Sequence, residues 1–253
     1  MRSIPANNRL LILPGVVIKM YREAWRAQNE RDALRRLDDA RILAPSERGS
    51  GRIGSRKFLV MSRLRGSTAD GTEEAARRII AYLRSVHELG GPGFGRLCAP
   101  LLPRWNDYVC QRLISYRKAF VSQGLHEGAG TADALTHLRL PEPPVPSLLH
   151  NDPEPGNFLE GPSGIAGLDW ELAIYGDPDL DYARIGYALG IRPARLVDLL
   201  DDQGVAFNEQ ALTIYRRVHL LGRLMSSITA APPDMAAAQR YLRDLRACAN
   251  DHT

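Results

Sequence analysis

At 253 residues, with 44% hydrophobic and 25% charged side chains, the chain has the composition of a soluble globular protein large enough for one big domain or two lobes. No apolar run approaches the roughly 18 residues that cross a membrane, and the apolar patch at residues 10–13 is too short for a signal segment. Three scattered cysteines, Cys98, Cys110 and Cys248, show no metal-ligand spacing and leave an odd thiol, so a reducing cytoplasm is the simplest setting.

The net charge is only +4, but residues 1–65 hold fifteen Lys or Arg against six carboxylates. Such a basic segment suits a polyphosphate ligand or nucleic acid. No helix-turn-helix, zinc-finger or RNA-recognition signature accompanies it, so nucleic acid is not the expected partner.

Residues 9–13 and 16–21 read as strands joined by the tight turn Pro14-Gly15. Lys19, one of only three lysines, sits inside the second strand, where a cation needs a specific reason. Residues 23–39 read as a helix with Ala27, Ala33, Leu34 and Leu37 at helical spacing. Glu30 in that helix is the best partner for Lys19, with Glu23 the fallback. Gly49-Ser50-Gly51-Arg52-Ile53-Gly54 matches a phosphate-loop pattern but follows the helix instead of preceding the lysine strand. It reads as a hairpin tip between strands at 42–44 and 57–61.

After an apolar strand at 58–64 the chain turns helical, at 73–89, 107–123 and 132–138. His87, ending the first of these, reads as structural. Further helices are expected at 179–189, 193–201, 209–230 (capped by Asn208) and 233–250.

Between the helical stretches lies SLLHNDPEPGNFLEGPSGIAGLDWELAIYGDPDLD, residues 147–181. Two short apolar runs each end in a polar cluster, His150-Asn151-Asp152 with Asn157, and Asp169-Trp170-Glu171. This is the order of parts used for phosphoryl transfer, a His-x-Asp-x-x-x-x-Asn loop followed by an Asp at a strand end. Asp152 suits the carboxylate that takes a hydroxyl proton, while Asn157 and Asp169 offer the hard oxygen atoms that Mg²⁺ prefers. From 140 to 183 the chain has nine carboxylates and no Lys or Arg, an acidic island suited to a divalent cation.

At LLHNDPEPGNFL and GLDWELAIYGDPDLDYA the chain resembles the aminoglycoside phosphotransferase and choline kinase superfamily. The resemblance implies an α+β, two-lobed protein-kinase-like fold, with a small antiparallel-sheet N-lobe at 1–65 and a larger, mainly helical C-lobe at 66–253. It implies ATP as phosphoryl donor, Mg²⁺ as cofactor, and a small-molecule hydroxyl as acceptor: an antibiotic, a choline-like amino-alcohol, or a sugar or nucleoside. Lys19 and Glu30 would steer the phosphates, main chain around Met61, Ser62 and Arg63 would hold the adenine, and Asp181 would anchor the catalytic loop. Glu171, Asp201, Asp202 and Asp234 could recognise a cationic acceptor, and Trp170, Tyr175, Tyr182 and Tyr215 could build an aromatic cage.

The first lobe is expected to be short, with Asn7-Asn8 as a remnant of a phosphate-covering loop. A nucleotide-binding pseudokinase without transfer activity is therefore the alternative. A monomer or homodimer, free of membrane, completes the expectation.

Overall fold

The computed structural model describes residues 8–250. It opens with the hairpin of β1 (Asn8–Leu13) and β2 (Val16–Tyr21), turned at Gly15 with φ of 84°. Helix α1 (Ala24–Asp39) follows, then a second hairpin of β3 (Glu47–Ile53) and β4 (Arg56–Ser62). These strands form one antiparallel sheet in the order β1-β2-β4-β3. In β2 the alternation turns Lys19 and Tyr21 inward together, and α1 lays Ala27, Ala33, Leu34 and Leu37 against that face.

The glycine motif forms strand β3, with Gly54 at the turn, instead of a tip between strands at 42–44 and 57–61. Gly51 lies flat against Phe58, where an added Cβ would come within 2.6 Å of the ring. Gly51 thus serves sheet packing, and none of the three glycines lines the cavity around Lys19 described below.

The remainder contains β5 (Ser67–Thr68), α2 (Glu73–His87), β6 (Gly95–Arg96), α3 (Trp105–Ser122) and α4 (His126–Thr136). Helix α4 begins six residues ahead of the expected 132 and stops at Thr136. Gly128 near its start packs tightly on Leu224 and Phe120. Packing therefore tolerates a glycine that weakens the helical pattern in sequence. Next come β7 (Ser147–Leu149), β8 (Phe158–Gly161), β9 (Gly164–Gly167) and β10 (Ile174–Gly176). Helices α5 (Asp179–Ala188), α6 (Pro193–Asp202), α7 (Glu209–Thr229) and α8 (Met235–Asn250) close the chain.

Asn208 caps α7 by accepting the Ala211 N–H at 2.9 Å, as its sequence position predicts. One contiguous core joins α2, α3, α5 and α7 around Trp105, Phe120, Leu83, Ile185 and Leu221. Two three-stranded sheets, β6-β10-β7 and β5-β8-β9, sit on this helical body and carry the 147–181 stretch. No helix among the described residues is long and apolar enough to cross a membrane.

The acidic island does not form one cluster. Glu142 accepts the N-terminal N–H groups of α3, Glu160 pairs with Arg78, and Asp177 and Asp179 are buried behind the site. Asp179 is pushed up to about 7 by burial and by the charge of Asp177. In the unfolded chain it would ionise near 4. The folded state then holds the extra proton between these values, so stability falls as pH rises from about 4 to about 7. Asp179→Asn, whose carbonyl can still accept the Asn208 N–H, is expected to flatten that limb in a melting-temperature profile against pH.

Candidate active site

The loop after β7 is held in shape before any side chain acts. Asp181, fully buried at the start of α5, accepts the N–H of His150 and of Asn151, each at 2.8 Å. His87 donates Nε2–H to the same carboxylate at 3.1 Å while its Nδ1 accepts from Tyr182, which confirms a structural role for His87. Burial alone would raise the Asp181 carboxyl, but the hydrogen bond from His87 and the charge of Arg184 hold it below the usual range. His150 ties the loop to β9, giving Nε2–H to Leu168 O at 2.8 Å and taking the Asp152 N–H at 3.3 Å.

Two non-glycine residues here adopt the left-handed conformation, Asn151 at φ 64° and Asp169 at φ 60°. Such strain persists only where surrounding bonds over-determine it, and it clusters at working sites. For Asn151 the bonds are the Asp181 carboxylate, the Leu172 carbonyl and the guanidinium of Arg184.

The structure brings together Asp152, Asn157, Asp169, Lys19 and Glu30. Asn157 donates its amide to Asp152 O at 2.9 Å and lies 3.4 Å from the Asp152 carboxylate. Lys19 bonds Glu30 at 2.6 Å and Asp169 at 2.5 Å, and Glu171 stands 3.1 Å away. Burial would strip the proton from Lys19, but the charges of Glu30, Asp169 and Glu171 outweigh it and raise the ammonium above its ordinary value. Glu23 instead pairs with Arg26 at the surface, which removes it as the lysine's partner.

A cavity of about 330 Å³ opens on Lys19, Asp169 and Asn157 and is walled by Leu10, Val17, Met61 and Arg63. The Ser62 and Arg63 N–H groups are already given to Ser46 O and Gly15 O at 2.9 and 3.0 Å. These two donors, expected to serve the adenine, are therefore committed to neighbouring chain. Asn8 begins β1 and donates its amide to Glu171, while Asn7 lies outside the described residues.

On the other side of the loop a cavity of about 380 Å³ opens on Asp152 and Asn151, between α3, α5 and α7. Of the carboxylates expected to meet a cationic acceptor, only Glu171 borders this cavity, and that one is already paired. Glu171 is held by Lys19 and Arg26, Asp202 pairs with Arg77 at the surface, Asp234 caps α8, and Asp201 is exposed on α6. Nor do the four aromatics expected to cage a cation line the cavity: Trp170 is fully buried against His150, Tyr175 holds Arg36, Tyr182 holds His87, and Tyr215 bonds Asp177.

Asn29, unremarked in sequence, is completely buried one residue before Glu30. Its amide donates to Glu171 O at 3.1 Å and Ala173 O at 2.8 Å, and this fixes α1 to the turn after Asp169. Asn29→Ala orphans both carbonyls and is expected to cost about 1–3 kcal/mol in urea unfolding. Turnover should fall as well, because Glu30 loses its register with Lys19.

Asp169 and Asn157 offer the kind of oxygen donor that Mg²⁺ takes. Asp169 is 43% exposed to the cleft, and Asn157, its nitrogen spent on Asp152 O, keeps its amide oxygen for a ligand. Two hard oxygen donors beside a polyphosphate-sized cleft fit that ion.

Among curated proteins none matches the sequence. Among solved structures, the apo form of a thermostable mutant of aminoglycoside phosphotransferase APH(4)-Ia is similar, with TM-score 0.75, 18% identity, and 98% of this chain and 95% of that one covered. The same enzyme in ternary complex with ADP and hygromycin B gives 0.73 at 18% identity, covering 98% and 91%. A choline/ethanolamine kinase family protein from Mesorhizobium loti gives 0.68 at 17%, covering 97% and 86%. At these identities the likeness speaks for the kinase-like fold. Residues 15–221, from the turn before Lys19 to the middle of α7, match the sequence pattern of the phosphotransferase enzyme family, and the chain therefore belongs to that family and is a small-molecule phosphotransferase.

Proposed function

We propose that the protein transfers the γ-phosphoryl group of ATP to a hydroxyl of a small molecule. The observation that carries this reading is the arrangement of the loop. Asn157 faces the Lys19–Asp169 cleft, Asp152 faces the second cavity, and the two side chains lie 3.4 Å apart. Donor and acceptor would meet across that loop.

In this reading residues 1–65 hold the nucleotide and 66–253 hold the acceptor. Lys19, kept protonated by its carboxylates, would take the α- and β-phosphates, with Glu30 setting its direction. The walls at Met61 and Arg63 would take the adenine. Asn157 and Asp169 would hold Mg²⁺, which when bound neutralises charge on the phosphates. The acceptor oxygen attacks the γ-phosphorus, the bond to the β–γ bridging oxygen breaks, and ADP leaves. Asp152 receives the proton released from the hydroxyl and returns it to solvent. Positioning and preorganised charge account for most of the rate in such transfers. A nucleotide-binding protein without transfer activity would have no use for Asp152 open to a second cavity.

The test is acceptor-dependent ADP release from MgATP, with Asp169→Asn alongside. Release that requires both Mg²⁺ and Asp169 is expected. Nucleotide binding that never leads to transfer with any hydroxyl compound would return the chain to the pseudokinase alternative.

A further inference from the structure

The second cavity is lined by arginine. Arg26 from α1, Arg96 from β6, Arg112 from α3, Arg184 from α5 and Arg223 from α7 all border the space that Asp152 faces. Two of them are spent. Arg26 pairs with Glu171 at 2.6 Å and Glu23 at 2.7 Å, and Arg223 pairs with Glu154 at 2.5 Å. The other three, Arg96, Arg112 and Arg184, have no carboxylate within 4.0 Å among the described residues. Arg112 meets only the Tyr116 hydroxyl, at 2.6 Å. Arg184 gives one nitrogen to Asn151 O, and its Nε is buried without a partner. Asp152 and Asp181 act on Arg184 from longer range. His219, also at the cavity wall, is held neutral by burial and by the surrounding guanidinium charges.

Guanidinium groups withdrawn from water without a counter-charge are costly, and a planar fork suits a carboxylate or a phosphate bidentately. The Trp25 and Tyr116 rings at the cavity wall are taken as well. Arg96 lies 4.0 Å and Arg26 5.0 Å from the Trp25 ring, and Arg112 lies 5.3 Å from the Tyr116 ring. A quaternary ammonium therefore finds the Trp25 and Tyr116 rings taken and only Tyr108, itself stacked on Trp105, without a cation, and a polyamine meets like charge on most sides.

We infer that the acceptor is a small anionic alcohol, a carboxylate- or phosphate-bearing hydroxy compound whose oxyanion is taken by Arg96, Arg112 and Arg184 while its hydroxyl faces Asp152. The inference rests on the phosphotransferase reading of the site and narrows its substrate class away from cations.

The experiment measures ADP release by the full chain with MgATP and two sets of acceptors. One set is anionic: glycerate and gluconate in a carboxylate arm, glycerol 3-phosphate and ribose 5-phosphate in a phosphate arm. The other is cationic: choline, kanamycin and hygromycin B. Stimulation within the anionic set alone is expected, and the responding arm names the oxyanion. Arg112→Gln should then raise the acceptor KM about tenfold to a hundredfold with MgATP affinity unchanged. Arg112→Lys, which keeps the charge and loses the fork, should fall between. Arg96→Gln, outside the helices, gives the same reading should the Arg112 variant fold poorly. Stimulation by the cations would overturn the inference and leave the phosphotransferase reading standing, whereas silence from every acceptor of both sets while MgATP still binds would overturn the inference and return the chain to the pseudokinase alternative. Failure to bind MgATP at all would instead sink the phosphotransferase reading.

Discussion

Asp152→Ala is expected to lower kcat by about 10²–10⁴-fold, the usual contribution of a positioned proton acceptor, while MgATP affinity and melting temperature stay near those of the parent. The geometry separates the two effects. Asn157 bonds chiefly to the main-chain carbonyl of residue 152, at 2.9 Å, and His150 bonds its N–H, so the loop keeps its supports when the carboxylate is removed. Only the 3.4 Å contact with the Asn157 amide is lost. Steady-state ADP release with the best acceptor gives kcat, and titration calorimetry gives nucleotide affinity. Near-parental turnover in this variant would exclude Asp152 as the group that receives the proton.

Asp181→Ala is the second large effect, and it lies in stability first. The substitution leaves two buried backbone N–H groups and the His87 imidazole without their acceptor. Removing one partner from such a buried, charge-assisted set costs about 3–5 kcal/mol. Urea unfolding should show that loss, and activity should fall with it, because Asn151 has less to hold it at φ 64°. Asp181→Asn keeps an acceptor oxygen but loses the charge, and should land between. The pH dependence has a definite sign. The Asp181 carboxyl is held below its unfolded value, so its stabilisation is present above about pH 4 and disappears as pH falls through the folded value. The parent's advantage over the Asn variant should therefore shrink in acid.

Much of the site was legible because its chemistry is written in short, ordered spacings. Asp152, Asn157 and Asp169 fall within one stretch of chain, and Lys19 stands out as a lysine in a chain whose cations are nearly all arginine. The helix boundaries at α6 and α7 followed from Pro193 and Asn208 in the same local way.

What escaped notice depends on side chains whose partners are far away in sequence. Asn29 looks like a solvated helix residue, yet its partners are main-chain carbonyls of residues 171 and 173, which leave no mark on the sequence. Glu171 carries no label saying that it will turn back to Lys19 and Arg26 and away from a substrate. The arginine lining is less readable still. Its members come from α1, β6, α3, α5 and α7, and each alone resembles an ordinary surface cation. Strand β3 carries little signal of its own, since its glycines, Gly49 and Gly51, are normally a sign of turns.

The clamp at Asn29 bears on control. A helix that supplies the lysine's partner is a natural lever, and swinging it outward would disable the cleft without touching the catalytic loop. Here that swing must break two buried hydrogen bonds between α1 and the turn at 170–172, along with the Glu30 contact to the Trp170 N–H at 3.2 Å. Each buried group left unpaired costs about 1–3 kcal/mol, so the displaced position would be populated in well under one molecule in a hundred. Helix α1 is therefore expected to hold Glu30 in place without an activating signal. The enzyme's progress curves should start without a lag.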